Sequence, residues 1–66
     1  MRGNIVQAAG WMQAGKDVRR YIWSADTCLC LNMDHVTIML GTGDGRPRPY
    51  ELSIIDLLAE DWEIRL

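Results

Sequence analysis

Trp23 or Tyr50, Arg20 and Asp61 together make a minimal binding kit for a nucleotide. A flat aromatic face stacks a base, an arginine pairs with phosphate oxygens through charge-assisted hydrogen bonds, and a carboxylate accepts from ribose hydroxyls. Arg20 and Trp23 stand three positions apart, and a regular strand would send their side chains to opposite faces. A bulge, the end of the strand near Trp23, or residues from different subunits must therefore bring them to one pocket. Tryptophan in so short a chain more often fills a core. Trp62 alternates with Ile64 and Leu66 and is assigned to the core, and Trp11 to the core or an interface. Arg46 and Arg48 are either a second anion site or, the preferred reading, solvated edge charges that discourage strand-to-strand aggregation.

Catalysis is poorly provided for. His35 is the only histidine and falls in an expected turn, where it is more often solvated than reactive. Ser24 and Ser53 read as turn and cap residues. Asp56, Glu60, Asp61 and Glu63 are close in sequence, but a helical register puts Asp56 and Glu60 together on a solvated face. The glycine-rich run Gly41-Thr42-Gly43-Asp44-Gly45 lacks the Lys-Ser/Thr pair of a phosphate loop, and no helix follows it. Its D-G dipeptide marks a hairpin turn instead. Two thiolates, Cys28 and Cys30, with one distant His35 do not make a four-ligand zinc site within one subunit. The expectation is a binding protein and not an enzyme, with no metal and no cofactor.

The elements that position these residues follow from caps and periodicity. Asn4 is placed to cap a helix whose apolar stripe is Ile5, Ala8, Ala9 and Met12, ended by Gly15. Gly10 inside that helix costs about 1 kcal/mol against alanine, which suggests close packing against a neighbour. Val18 to Trp23 reads as a first strand, Ser24-Ala25-Asp26 as a turn, and Thr27 to Met33 as a second strand. Leu29 and Leu31 share one face of that strand and Cys28 and Cys30 the other, so both faces are largely apolar and call for cover on both sides. Met33-Asp34-His35 turns into a third strand, Val36 to Leu40. Arg46-Pro47-Arg48-Pro49 can only be an edge segment, because its two prolines remove two donors. Ser53 with Asp56 three positions on is a variant capping box that opens a second helix. Trp62 to Leu66 closes as a half-buried strand. The fold class is α+β: a small antiparallel β-sheet with an N-terminal helix and a short C-terminal helix, one domain over residues 1–66.

Size constrains how such a domain is held together. A 66-residue chain is marginal alone, and disulfides, a metal or oligomerisation are the usual remedies. Cys28 and Cys30 on one face of a strand have Cα atoms roughly 6.5–7 Å apart, at the edge of what a disulfide tolerates. Packed thiols in a reducing cytoplasm fit better. Assembly into a homo-oligomer remains, and 48% hydrophobic residues with three tryptophans support it. Met1-Arg2-Gly3-Asn4 does not read as a signal peptide, and no stretch approaches the ~18 apolar residues of a membrane span. A net charge of −2 disfavours duplex nucleic acid as a partner but leaves room for a small anion held by a few arginines.

Two separated blocks carry a resemblance. Gly15, Lys16, Val18, Arg20 and Trp23 form G-K-x-V-x-R-x-x-W; Asp56, Leu57, Leu58, Ala59, Asp61 and Trp62 form D-L-L-A-x-D-W. In order and spacing the chain resembles, from about Ile5 to Trp62, the second type of the Thoeris anti-defence family, small phage and prophage proteins. Gly43-Asp44-Gly45 and Pro49-Tyr50 stand where the family usually has a D-G turn and a Pro-Trp pair, so Tyr50 replaces a tryptophan, and the middle of the chain is shorter than in many relatives. The resemblance implies a sponge that sequesters a cyclised ADP-ribose signal of the Thoeris system without degrading it. Some members of the family hold cyclic dinucleotides in a separate pocket. It also implies homo-oligomers, typically tetramers with pockets between subunits, in the cytoplasm of an infected or lysogenic bacterial host. With it, Trp23 is assigned to the pocket wall beside Arg20, Tyr50 and Asp61. The alternative is a protein-interaction module that docks and inhibits a host defence protein through exposed apolar surface.

Overall fold

Each helix begins where a side chain meets the backbone N–H groups that a helix leaves unpaired. The computed structural model describes residues 2–43 and 45–65. Asn4 accepts from the Gln7 amide at 3.0 Å while Gln7 Oε1 accepts from the Asn4 amide at 2.9 Å, a full capping box that opens α1 (Ile5–Gln13). Gly15, at φ 88°, turns the chain out of α1 in the left-handed conformation that favours glycine. Ser53 and Asp56 make the same reciprocal pair at α2 (Ile54–Leu58), as their spacing predicts. In α1 the buried stripe is narrower than expected. Ala8 and Met12 are buried and Ile5 partly so, but Ala9 is exposed. Gly10 is exposed too, with open space where a Cβ would stand, so close packing within one chain does not explain it.

The strands are β1 (Arg2–Gly3), β2 (Val18–Arg20), β3 (Cys28–Leu31), β4 (Ile38–Gly41), β5 (Arg48–Pro49) and β6 (Trp62–Ile64). They form one antiparallel sheet in the order β1-β6-β2-β3-β4-β5. The antiparallel sheet with two helices agrees with the expected α+β class. The proline segment lies at the sheet edge, as its missing donors require. The last strand is not at an edge: β6 is inserted between β1 and β2.

Three strands are shorter than their propensities suggest. The first was expected to reach Trp23 but ends at Arg20: the Tyr21 amide still meets Asp61 O in the register of the ladder, and the Trp23 amide then folds back onto Arg20 O, both at 3.0 Å. The second ends at Leu31 and leaves Met33 93% exposed. The third starts at Ile38, because Asp34 Oδ1 accepts from the amides of Val36 and Thr37 and holds both in the preceding turn. Asp44 of the D-G turn and Leu66 of the closing alternation lie outside the described residues.

Both helices cover one face of the sheet. Register places Val18, Arg20, Leu29 and Trp62 there, and the core is Ala8, Met12, Val18, Leu29 and Trp62. The opposite face carries Arg19 paired with Glu63 at 2.9 Å, and the two free cysteines, Cys28 buried and Cys30 half-buried. Burial pushes both thiols above their ordinary range, with Asp17 adding to it, which suits packing and not nucleophilic chemistry.

Trp62, on β6, is fully buried against the covered face of the sheet, and its indole N–H donates to Asp56 O at 3.0 Å. Trp62→Ala is expected to cost about 3–5 kcal/mol. Thermal melting checks this, and an unchanged melting temperature would contradict the core assignment.

Candidate functional site

The insertion of β6 beside β2 creates the site. In the register of that pair Arg20 lies opposite Trp62, so Asp61, one residue earlier, comes against the end of β2. Arg20 Nε donates to Asp61 Oδ1, and Arg20 Nη1 to Asp56 Oδ1 at 3.2 Å. The turn after Arg20 brings Trp23 back over the same region. Its ring stands edge-on to Trp62, with centroids 5.4 Å apart, and edge-on to Tyr50 at 6.1 Å. Arg19 Nη1 holds the turn from outside by donating to Trp23 O at 2.9 Å. Tyr50 is placed by its amide, which bonds to Ile38 O, and by its hydroxyl, which donates to Asp56 Oδ2 at 2.6 Å.

Arg20, Trp23, Tyr50 and Asp61 thus converge, and it is the end of the strand that brings Arg20 and Trp23 together. Arg20 is buried, however, with its charge already met by two carboxylates. The hydrogen bond and charge of Asp61 outweigh desolvation and hold its pKa above the ordinary arginine value. Among the described residues its Nη2 makes no hydrogen bond.

Asp56 is the residue that sequence reasoning misplaced. It was expected beside Glu60 on a solvated helix face, but it is only 5% exposed, and α2 ends at Leu58, so no helical i, i+4 pair with Glu60 exists. Its carboxylate accepts from Arg20, Tyr50 and the Ser53 amide, and its carbonyl from Trp62. Burial alone would raise the Asp56 pKa, but the hydrogen bonds from Tyr50, Ser53 and Arg20 outweigh it and hold the carboxyl below its usual range. The available signal was Arg20 itself: a guanidinium on the core side of a strand demands more than one acid.

A cleft of about 710 Å³ opens elsewhere, lined by Trp11, Arg19, Asp26, Glu63, Ile64 and Arg65, and none of the four predicted residues borders it. The four form a packed corner in the single chain. Among the described residues no three His, Cys, Asp or Glu side chains converge as a metal site.

The sequence model of the Thoeris anti-defense 2-like domain matches residues 3–65. The chain belongs to this family. Both quoted motif blocks lie inside the matched span, and membership in the Thoeris anti-defense 2-like family supports a role in phage anti-defence. No curated protein matches the chain. No helix among the described residues is long and apolar enough to cross a membrane.

Burial, then the hydrogen bond to Asp56, pushes the Tyr50 hydroxyl up to about 12. A pKa raised by folding stabilises fully below the unfolded value near ~10, and the contribution is lost as pH rises through about 12. Tyrosinate absorbance should follow this, and Asp56→Asn should bring the Tyr50 midpoint down. An unmoved midpoint would show that the Tyr50–Asp56 bond does not form in solution.

Proposed function

We propose that the protein is a non-enzymatic sponge that binds and sequesters a cyclic nucleotide immune signal, a cyclised ADP-ribose isomer or a cyclic dinucleotide, without degrading it. The observation that carries this reading is the corner where Trp23 and Tyr50 stand beside Arg20 and Asp61. Trp23 is partly buried and stacks the base; Tyr50 forms the adjoining wall. Arg20 offers Nη2 to a phosphate while Nε and Nη1 stay on their carboxylates. Asp61 is less buried than Asp56 and accepts from ribose hydroxyls through the oxygen that Arg20 does not use.

The corner is closed on its inner side by Trp62 and α2, and a ligand the size of a dinucleotide needs a second wall. A pocket shared between subunits of a homo-oligomer, a tetramer in the first instance, supplies that wall. The site works in the cytoplasm of the bacterial host, where such signals are made.

Incubation with cyclic ADP-ribose isomers and cyclic dinucleotides, followed by heat denaturation of the protein, should return the ligand intact. Recovery of a cleaved product would mean an enzyme. In calorimetry Trp23→Ala should weaken binding by roughly five- to 150-fold, the equivalent of ~1–3 kcal/mol for one base–aromatic stack, with the fold retained. Unchanged affinity for every ligand would remove the stacking role.

A further inference from the structure

The turn that carries Trp23 is fastened from the far side of the sheet. β2 ends at Arg20 and β3 begins at Cys28, so residues 21–27 lie outside both strands. The Trp23 ring packs on the helix-covered side, where it meets Trp62 and Tyr50 edge-on. Its carbonyl is taken on the open side, by Arg19 Nη1 at 2.9 Å. Arg19 does not act alone. Register sets it directly opposite Glu63, and sets Glu63 directly opposite Arg2, so the three share the open face across β2, β6 and β1. Arg19 Nη2 meets Glu63 Oε1 at 2.9 Å while Nη1 stays on Trp23 O. Glu63 Oε2 is 3.9 Å from Arg2 Nε, and Arg2 Cζ lies 3.6 Å over the centre of the Tyr21 ring. The row of charges thus begins on Trp23 and ends on Tyr21, in the same turn.

We propose that Arg19 is a positioning residue for the ligand: with Glu63 and Arg2 it forms a clamp on the open face that sets the Trp23 ring for stacking on the other. The clamp rests on geometry alone, and its effect on affinity rests on the nucleotide-binding reading. The position calls for a guanidinium. Its planar fork spans a carbonyl and a carboxylate at once, whereas an ammonium is a point charge without that fork. The Arg19 and Glu63 side chains are each 21% exposed, so this pair is better shielded than a solvated surface pair. Edge-on contacts with Trp62 and Tyr50 favour one placement of the ring but do not anchor the backbone that carries it. Arg65 Nε ties the same loop at Ala25 O, 3.2 Å away, and leaves the Trp23 carbonyl to Arg19. Without the fork the ring spends part of its time turned away, and affinity falls with the fraction correctly set. Arg19, Glu63 and Arg2 stand on the face opposite Arg20 and Trp62, so their influence on a ligand passes through Trp23.

Two measurements on Arg19→Lys test this. Circular dichroism of the free protein reads the exciton couplet of the Trp23–Trp62 pair, with Trp23→Phe as the variant that lacks it. Calorimetry against cyclic ADP-ribose isomers and cyclic dinucleotides reads affinity. Arg19→Lys keeps the charge opposite Glu63, so its melting temperature should stay near that of the wild type. Its couplet should fall, and its affinity should drop by roughly three- to tenfold. Retained charge means that such a loss cannot come from weaker attraction of an anion. Glu63→Gln, which removes the ionic anchor of Arg19, should move both readings in the same direction. An undiminished couplet in Arg19→Lys overturns the clamp, whatever the nucleotides do. A diminished couplet with unchanged affinity overturns the positioning role. A wild type that takes up no nucleotide overturns the binding reading and with it the effect on affinity, while the couplet still decides the clamp.

Discussion

A guanidinium withdrawn from water must have its charge met where it lies, and Arg20 is met by two carboxylates from separate parts of the chain. Asp56 comes from the second helix and Asp61 from the approach to the last strand. The arginine therefore draws β2, α2 and β6 to one point. Its worth for stability is not the strength of the ion pairs, since hydrophobic replacement of a buried pair is often neutral. Its worth is positional. Loss of either acid would leave the buried guanidinium with one carboxylate in place of two, so alternative packings of these elements are penalised.

The other features of the region follow from that constraint. Asp56 turned inward fixes the rotation of α2, and the rotation sends Ile54, Ile55 and Leu58 outward. The Asp56 carboxylate also receives Tyr50, which aligns the phenol ring against Trp23. The Trp62 indole reaches the carbonyl of the same residue, so the core and the site share an anchor. A corner built this way is held in place by its own hydrogen bonds, which under the proposed function would reduce the ordering cost of binding. The same bonds mean that the corner presents edges and faces of rings already set in place, with little room for rearrangement within one chain.

Local features were legible in the sequence and distant pairings were not. Asn4, Gly15 and Ser53 act through neighbours within a few residues, and their roles can be read from spacing alone. The two prolines excluded a central strand and marked the edge. Tyr21, Ile22 and Trp23 favour a strand by type, yet the chain turns there, with the Trp23 amide folded back onto Arg20 O and the Trp23 ring packed on Trp62, 39 positions later. The burial of Asp56 depends on Arg20, 36 positions away, and no periodicity within α2 reports it. The residues of the site could be chosen by their chemistry. Their convergence is set by the register of β6 against β2, which is a property of the sheet.

The place of β6 also sets when the chain can fold. Of the described strands it is the last to leave the ribosome, yet it stands between β1 and β2 and is the sole sheet partner of β1. Until it emerges, β1 has no partner, β2 has a bare edge, and Arg20 lacks Asp61. The long-range pairing of β6 with both β1 and β2 therefore closes the sheet, the core and the Arg20 corner together.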